Sequence, residues 1–155
     1  MLYINKEGKR AMSRQILKKE RIITDRLTLG SYRKEDRDRL AEMMRNPEIT
    51  ATFMVPDYSE EVQFYALADK LIEFSQINDT THLEYGVYLD GYMIGFVNDC
   101  GYDDEAIELG YAIDPAFKGR GFATEAVNAV INELHEMGFK KVVAGFLKEI
   151  SAAEK

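Results

Sequence analysis

Cysteine and histidine are scarce in this sequence of 155 residues. There is one cysteine, Cys100, and there are two histidines, His82 and His135. A single cysteine excludes an internal disulfide and fits a reducing compartment, so we expect a cytoplasmic protein. The histidines lie far apart and lack the spacing of metal ligands, and we therefore expect no metal site.

Long apolar runs are also missing. No stretch approaches the ~18 apolar residues that span a bilayer, and residues 1–20 lack the apolar core of a signal peptide. We therefore expect no membrane partner. The 20 Lys and Arg are outnumbered by 27 Asp and Glu, and the resulting formal net charge of −7 argues against a general affinity for nucleic acid.

The positive charge is concentrated at the N-terminus. Residues 1–21 hold seven Lys and Arg and two Glu, which gives this segment a net charge of +5. Because the whole chain has a net charge of −7, the remaining residues carry −12. We predict that residues 1–20 form a solvated basic leader, rather than an arm that contacts a partner. Residues 21–155 are predicted to form one domain.

The hydrophobic periodicity indicates one α+β domain. The predicted strands cover residues 21–29, 84–89, 92–98, 106–113 and 141–147. Helices are predicted to follow Ser31 or Asp36, then Ser59 and Gly121. The dipeptide Asp90-Gly91, between the second and third predicted strands, is the strongest hairpin signal in the chain.

A glycine-rich turn separates the fourth predicted strand from the following helix. It reads KGRGFAT over residues 118–124. The free N–H groups and the dipole at the start of a helix attract an anion. Gly119 and Gly121 let a phosphate approach the main chain closely, and Lys118 and Arg120 add two positive charges. The turn is therefore a candidate phosphate site, with an ordinary basic connection as the alternative.

A dinucleotide-binding fingerprint is a third interpretation of this turn, and the sequence argues against it. Thr124 stands where that fingerprint requires its third glycine. Lys140 and Lys141 stand about twenty positions further on, where the fingerprint requires an acidic residue. We therefore do not expect the chain to bind NAD.

Four short segments together carry a resemblance to a known family. KGRGFA at residues 118–123 fits the motif Gln/Arg-x-x-Gly-x-Gly/Ala of the GNAT superfamily of acetyl-coenzyme A-dependent N-acetyltransferases, with Lys118 in place of Gln or Arg. TDRLTL (24–29), NPE (46–48) and ELGY (108–111) are similar to the branch that contains the ribosomal-protein alanine and serine N-terminal acetyltransferases. The resemblance implies a single-domain GNAT fold, with a mixed, mostly antiparallel sheet flanked by helices.

The resemblance also implies a reaction, in which a primary amine attacks acetyl-coenzyme A directly. The amine would belong to a small molecule or to a protein N-terminus. Glu108 is the candidate base that takes the amine's proton, with a solvated strand residue as the alternative. Backbone groups at Ala112 and Ile113 would lie beside the thioester, and N–H groups from about Gly119 to Thr124 would hold the pyrophosphate. The residues implied in coenzyme binding are Ala112, Ile113, Lys118, Gly119, Arg120, Gly121, Phe122, Ala123 and Thr124.

The resemblance breaks at the C-terminal end. In this branch an Asn-x-x-Ser segment opens a fourth helix that precedes two more strands, whereas here Ile150 stands at the Asn position and the sequence ends at Lys155. We expect a domain truncated at its C-terminus, whose last strand has an open edge. The alternatives are a second chain that fills the gap, as in a homodimer, and an inactive remnant. The alternative function is that of a non-catalytic coenzyme A-binding or dimerising relative.

Overall fold

One sheet of six strands forms the centre of the molecule. The computed structural model describes residues 14–51 and 56–144, together with the backbone of residues 2–4 and 10–12. Strands β1 (Leu2–Ile4) and β2 (Arg10–Met12) form a separate antiparallel pair. The large sheet contains, in spatial order, β3 (Arg21–Ile23), β4 (Thr28–Gly30), β5 (Glu84–Leu89), β6 (Tyr92–Tyr102), β7 (Ala106–Ile113) and β8 (Lys141–Ala144). Adjacent strands of this sheet are antiparallel, except that β7 and β8 are parallel. This arrangement confirms the predicted α+β class with a mixed sheet.

Helices cover both faces of this sheet. They are α1 (Arg37–Arg45), α2 (Pro47–Thr50), α3 (Glu61–Phe74) and α4 (Phe122–Glu136). One apolar core lies between the sheet and α4, and a second lies between the sheet and α1 and α3. Side chains alternate along β7, so that Leu109 belongs to the α4 core and Ala112 to the other. No helix in the described part of the chain is long and apolar enough to cross a bilayer.

The hairpin between β5 and β6 turns at Asp90 and Gly91, as predicted. Their φ angles are 50° and 80°, both in the left-handed region. A two-residue type I′ turn requires this conformation at both central positions, and Asp-Gly is one of the residue pairs that adopt it most readily. The strongest hairpin prediction is therefore confirmed.

The prediction of one continuous strand over residues 21–29 is wrong. β3 and β4 are two short strands joined by a turn, with Ile23 opposite Thr28. The Thr24 N–H donates to the Leu27 carbonyl at 2.9 Å, and the Leu27 N–H donates to Thr24 Oγ1 at 3.0 Å. The threonine hydroxyl closes this turn, and a period-two pattern of apolar residues does not reveal such a bond.

The expectation of a solvated leader is wrong for residues 14–19, which pack against the domain. Ile16 is 0% exposed within the α4 core, and Lys18 is 7% exposed. The Ile16 N–H donates to the Thr80 carbonyl at 2.7 Å, and the Lys19 N–H donates to Glu133 Oε2 at 2.8 Å. Because these contacts are tertiary, the local excess of charge did not indicate them. The predicted domain boundary at residue 20 stays a prediction.

The last predicted strand is described from Lys141 to Ala144. It runs parallel to β7, and the final described pair is Leu109 with Ala144. β7 itself continues to Ile113. The predictions for residues 145–155, including the missing Asn-x-x-Ser segment, lie outside the described residues.

Candidate functional site

The candidate site begins where β7 ends. Asp114 and Pro115 stop the strand, and a single 3₁₀ turn covers Pro115–Phe117. Proline suits the first position of this turn because its fixed φ is helical and its missing N–H is not needed there. The Asp114 carboxylate accepts a hydrogen bond from the Ala116 N–H at 2.9 Å and thereby caps the turn.

The two glycines of the turn adopt a backbone that favours glycine. Gly119 and Gly121 both have φ near 80°, and Gly121 is the residue immediately before α4. A Cβ atom at Gly119 would meet nothing within 4 Å, so the left-handed backbone rather than lack of space favours glycine there. The sequence prediction of a glycine-dependent turn before the helix is confirmed.

The start of α4 presents unsatisfied polar groups. The first intrahelical bond runs from the Glu125 N–H to the Gly121 carbonyl at 3.0 Å, so the preceding amides have no acceptor within the helix. Thr124 Oγ1 is buried and has no hydrogen-bond partner among the described residues. Together with the helix dipole, these donors fit a phosphate group.

The side chains of the turn differ in their availability to a ligand. Lys118 and Arg120 are exposed, and the Arg120 guanidinium lies 5.6 Å from the centroid of the Phe117 ring. Phe122 is 4% exposed, and its ring packs into the α4 core beneath the Arg26 guanidinium at 4.4 Å. The side chain of Phe122 is therefore structural, and its N–H is the group that remains for a ligand.

Glu125 ties this turn to the β3–β4 hairpin. Its carboxylate accepts hydrogen bonds from Thr24 Oγ1 at 2.5 Å, from the Arg26 N–H at 2.9 Å and from Arg26 Nε at 2.7 Å. Arg26 Nη1 also donates to the Arg120 carbonyl at 2.8 Å. Burial opposes ionisation, but the bonds from Thr24 and Arg26 outweigh it and hold the pKa of Glu125 below its usual range. Glu125 is thus engaged in holding the turn in place.

The predicted base and the predicted thioester-binding backbone lie at different places along β7. Glu108 is exposed and pairs with Gly101 on β6 and Val143 on β8. Ala112 and Ile113 are buried at the far end of the strand. Four strand residues span about 13 Å, so Glu108 does not lie next to Ala112.

Sequence reasoning missed a buried carboxyl group on the α1 and α3 face of the sheet. Glu84 is 3% exposed and accepts a hydrogen bond from the Tyr32 hydroxyl at 2.5 Å. Burial raises the pKa of Glu84 to about 8, against the opposing hydrogen bonds from Tyr32 and Asn98. Asn98 pairs with Glu84 on one side and with Gly110 of β7 on the other. A lone glutamate at the start of a strand gives no sequence signal of such burial.

A second missed contact joins α1 to the end of β7. Arg39 and Asp114 form an ion pair with 2.5 Å between Nη2 and Oδ2, and their side chains are 13% and 16% exposed. Burial opposes ionisation, but the Ala116 N–H and the Arg39 guanidinium outweigh it and lower the pKa of Asp114. These residues are 75 positions apart, so no local pattern indicates their contact.

Comparison with known proteins supports the fold. The chain resembles the N-acetyltransferase p20 of Bacillus licheniformis, with 26% identity over 118 residues, 73% of this chain and 65% of that protein. The chain therefore matches less than two thirds of the length of this curated relative.

Solved structures give the same fold at low sequence identity. A GNAT-family acetyltransferase from Bacillus anthracis superposes with a TM-score of 0.64 at 18% identity, covering 80% of this chain and 72% of that one. RimL, a ribosomal L7/L12 α-N-protein acetyltransferase, superposes with a TM-score of 0.61 at 15% identity, covering 83% of this chain and 68% of that one. The microcin C7 self-immunity acetyltransferase MccE, in complex with acetyl-CoA and AMP, superposes with a TM-score of 0.68 at 19% identity. The superposition covers 88% of this chain and 81% of that one.

The family model described as the acetyltransferase (GNAT) domain matches residues 26–153, which include β4, β7 and the glycine turn. The order of strands and helices, the left-handed glycines before α4 and this match agree with one another. The chain belongs to the GNAT acetyltransferase family.

Proposed function

We propose that this chain transfers an acetyl group from acetyl-coenzyme A to a primary amine. The observation that carries the proposal is the turn at residues 118–124. Two left-handed glycines and the N–H groups at the start of α4 meet there with the Thr124 hydroxyl, which has no hydrogen-bond partner in the part of the chain that the structure describes. GNAT acetyltransferases use acetyl-coenzyme A, so the anion assigned to this turn is the coenzyme's pyrophosphate. The amine is proposed to belong to a small molecule or to a protein N-terminus; the neighbour RimL is an acetyltransferase of the latter kind.

Two parts of the chain would share the work of binding. The N–H groups from Gly119 to Thr124 would hold the pyrophosphate, and Lys118 and Arg120 would add positive charge at the rim of the site. Ala112 and Ile113 would offer backbone groups to the pantetheine arm, in the manner of an added strand. This division is supported by the buried end of β7 leading directly into the glycine turn.

The chemistry requires little from side chains, because the amine attacks the thioester carbon itself. The new C–N bond forms first and gives a tetrahedral intermediate, which collapses as the C–S bond breaks. The amine loses a proton, and coenzyme A leaves as a thiolate that takes up a proton from solvent. A backbone N–H at Ala112 or Ile113 is proposed to donate to the developing oxyanion, a contribution of typically about 3 kcal/mol. Glu108 is proposed to accept the amine's proton through water, because direct contact is inconsistent with its position on β7.

Coenzyme binding without catalysis is a second candidate function. The observation that favours it is the exposure of Glu108 in the first half of β7, whereas Ala112 and Ile113 lie buried at the end of that strand. The two candidates share the coenzyme site and differ in turnover.

Thermal unfolding of the 155-residue chain with acetyl-coenzyme A tests the site. A ligand at 100 times its dissociation constant should add about 2.7 kcal/mol to the free energy of unfolding, and NAD should add nothing. Gly121→Glu should abolish the shift, because it places a carboxylate where the phosphate binds. Gly91→Glu is the matched control, because Gly91 also has φ near 80° and open space around it but lies in the β5–β6 hairpin.

The absence of a shift with acetyl-coenzyme A would refute both candidates. Normal binding by the Gly121→Glu variant would show that the site lies elsewhere. Acetyl transfer to a panel of amines and N-terminal peptides then separates the two functions. Turnover supports the acetyltransferase, and binding without turnover supports the second candidate.

A further inference from the structure

Asp114 joins the two halves of the proposed coenzyme site. It directly follows Ile113, in the half that would hold the pantetheine arm, and it precedes the glycine turn that would hold the pyrophosphate. Its N–H donates to the Ile94 carbonyl of β6 at 2.7 Å, while its carboxylate caps the 3₁₀ turn. The relative placement of the two halves therefore depends in part on the orientation of this residue, alongside the contacts of Glu125 and Arg26.

The strands are irregular and close together at this junction. Val87 of β5 pairs with Gly95 of β6, but Tyr88 pairs with Met93, so one residue of β6 is a bulge. A Cβ atom at Gly95 would lie 2.2 Å from the Ala112 carbonyl oxygen, a distance that no side chain tolerates. The end of β7 thus rests directly on the backbone of the bulged strand.

Arg39 reaches this junction from α1 and contacts both strands. Its Nε donates to the Met93 carbonyl at 3.0 Å, and its Nη2 is 2.5 Å from Asp114 Oδ2. Its guanidinium carbon also lies 4.8 Å from the centroid of the Tyr92 ring. The planar guanidinium therefore binds one atom on β6 and one after β7, a geometry that a single ammonium group does not reproduce.

The neighbouring ion pair on the same helix has a different character. Arg37 pairs with Asp69 of α3 at 2.7 Å, and both side chains are about half exposed, at 47% and 55%. Exposed ion pairs of this kind contribute little to the free energy of unfolding. The Arg39–Asp114 pair, at 13% and 16% exposure, is shielded from solvent and contacts the backbone of the proposed site.

We propose that Arg39 is a positioning residue for coenzyme binding. By holding Asp114 against β6, it fixes the backbone of Ala112 and Ile113 relative to the glycine turn, so that one ligand is able to bind both at once. The inference rests on the proposed function, because it presupposes that the two halves bind one coenzyme molecule.

Binding of coenzyme A and of its nucleotide half, adenosine 3′-phosphate 5′-diphosphate, tests this role. The nucleotide half needs the glycine turn alone, whereas coenzyme A needs both halves in register. Arg39→Gln should weaken the binding of coenzyme A by about tenfold and the binding of the nucleotide half by less than about threefold. Arg37→Gln, which removes the same charge from the same helix, should change neither affinity.

Asp114→Asn provides the second variant, because an asparagine still caps the Ala116 N–H while it loses the ion pair. It should repeat the selective loss, and the double variant with Arg39→Gln should be no weaker than either single variant. If Arg39→Gln does not fold, Asp114→Asn gives the same comparison.

The outcomes separate this inference from the proposed function. A parent chain that does not bind coenzyme A overturns the proposed function, and this inference with it. Binding by the parent with an unchanged affinity in the Arg39→Gln and Asp114→Asn variants overturns this inference alone. Equal losses for coenzyme A and its nucleotide half also overturn it, because they indicate general damage to the fold rather than lost registration.

Discussion

Glu108 is the residue whose proposed role is open to the most direct kinetic test. A carboxylate that accepts the amine's proton contributes to the pH dependence of the rate, so the pH–rate profile of acetyl transfer reports on it. Glu108→Gln should lower kcat by about 10² or more and change that profile, without changing the affinity for acetyl-coenzyme A. The measurement is a pH–rate profile of acetyl transfer.

The control for this prediction is Glu105→Gln. Glu105 lies just before β7, and its side chain is 70% exposed in a surface pair with Lys140. The Glu105→Gln variant should therefore have the same pH–rate profile as the parent. If Glu108→Gln keeps it as well, another group takes the proton.

Single residues also show how far the sequence alone reached into the site. The turn at Gly119 and Gly121 was predictable, because two closely spaced glycines between a strand pattern and a helical apolar stripe indicate a turn. The contact of Arg39 with Asp114 was not, since it depends on the packing of α1 against two distant strands. A local pattern encodes backbone conformation, whereas it encodes side-chain partners only when they are close in sequence.

At the scale of elements, residues 14–19 behave as part of the domain. The segment lies along the α4 face, and Ile16 is 0% exposed beside Leu17, which is 65% exposed. Ile16→Ala should destabilise the fold by about 2–4 kcal/mol, because it opens a cavity in the α4 core. Leu17→Ala, a matched change one residue away, should cost no more than about 0.5 kcal/mol.

Urea unfolding of these two variants measures the difference. A solvated leader would make both substitutions nearly neutral, and that result would contradict the packing of the segment. Equal, large losses would instead indicate that Leu17 is buried in solution.

Elements with a strong local signal were the ones that the sequence predicted well. The β5–β6 hairpin follows from Asp90-Gly91, and α4 follows from its apolar stripe and the glycine before it. The division of residues 21–29 into two strands depends on the Thr24 hydroxyl, whose carboxylate partner is Glu125, about a hundred positions away. Ile23, Leu27 and Leu29 keep the same period of two on either side of that turn, and for this reason periodicity alone predicted one strand.

Across the whole molecule, carboxyl groups are buried on both faces of the sheet. Glu84 meets the Tyr32 hydroxyl on the α1 and α3 face, and Glu133 of α4 accepts from the Tyr85 hydroxyl at 2.7 Å on the other. Each glutamate is 3% exposed, and burial raises the pKa of both. At neutral pH Glu84 therefore holds, in the folded chain, a proton that the unfolded chain releases. Both raised pKa values make stability fall as pH rises, because the folded chain binds more protons than the unfolded chain while these groups titrate.

The variant Glu84→Gln isolates one of these contributions. The pKa of Glu84 is about 8 in the folded protein and 4.5 as an ordinary glutamate, so its stabilising protonation is complete below pH 4.5 and is lost as pH rises through 8. Asn98, Asp99 and Lys18 also face this carboxyl group, and none of them changes in the variant. Between pH 5 and pH 8 the parent should lose roughly 1 to 4 kcal/mol of unfolding free energy relative to Glu84→Gln, measured by urea unfolding at each pH. Glu105→Gln should follow the parent, and a constant difference between the parent and Glu84→Gln over this range would show that Glu84 is already ionised in the folded protein.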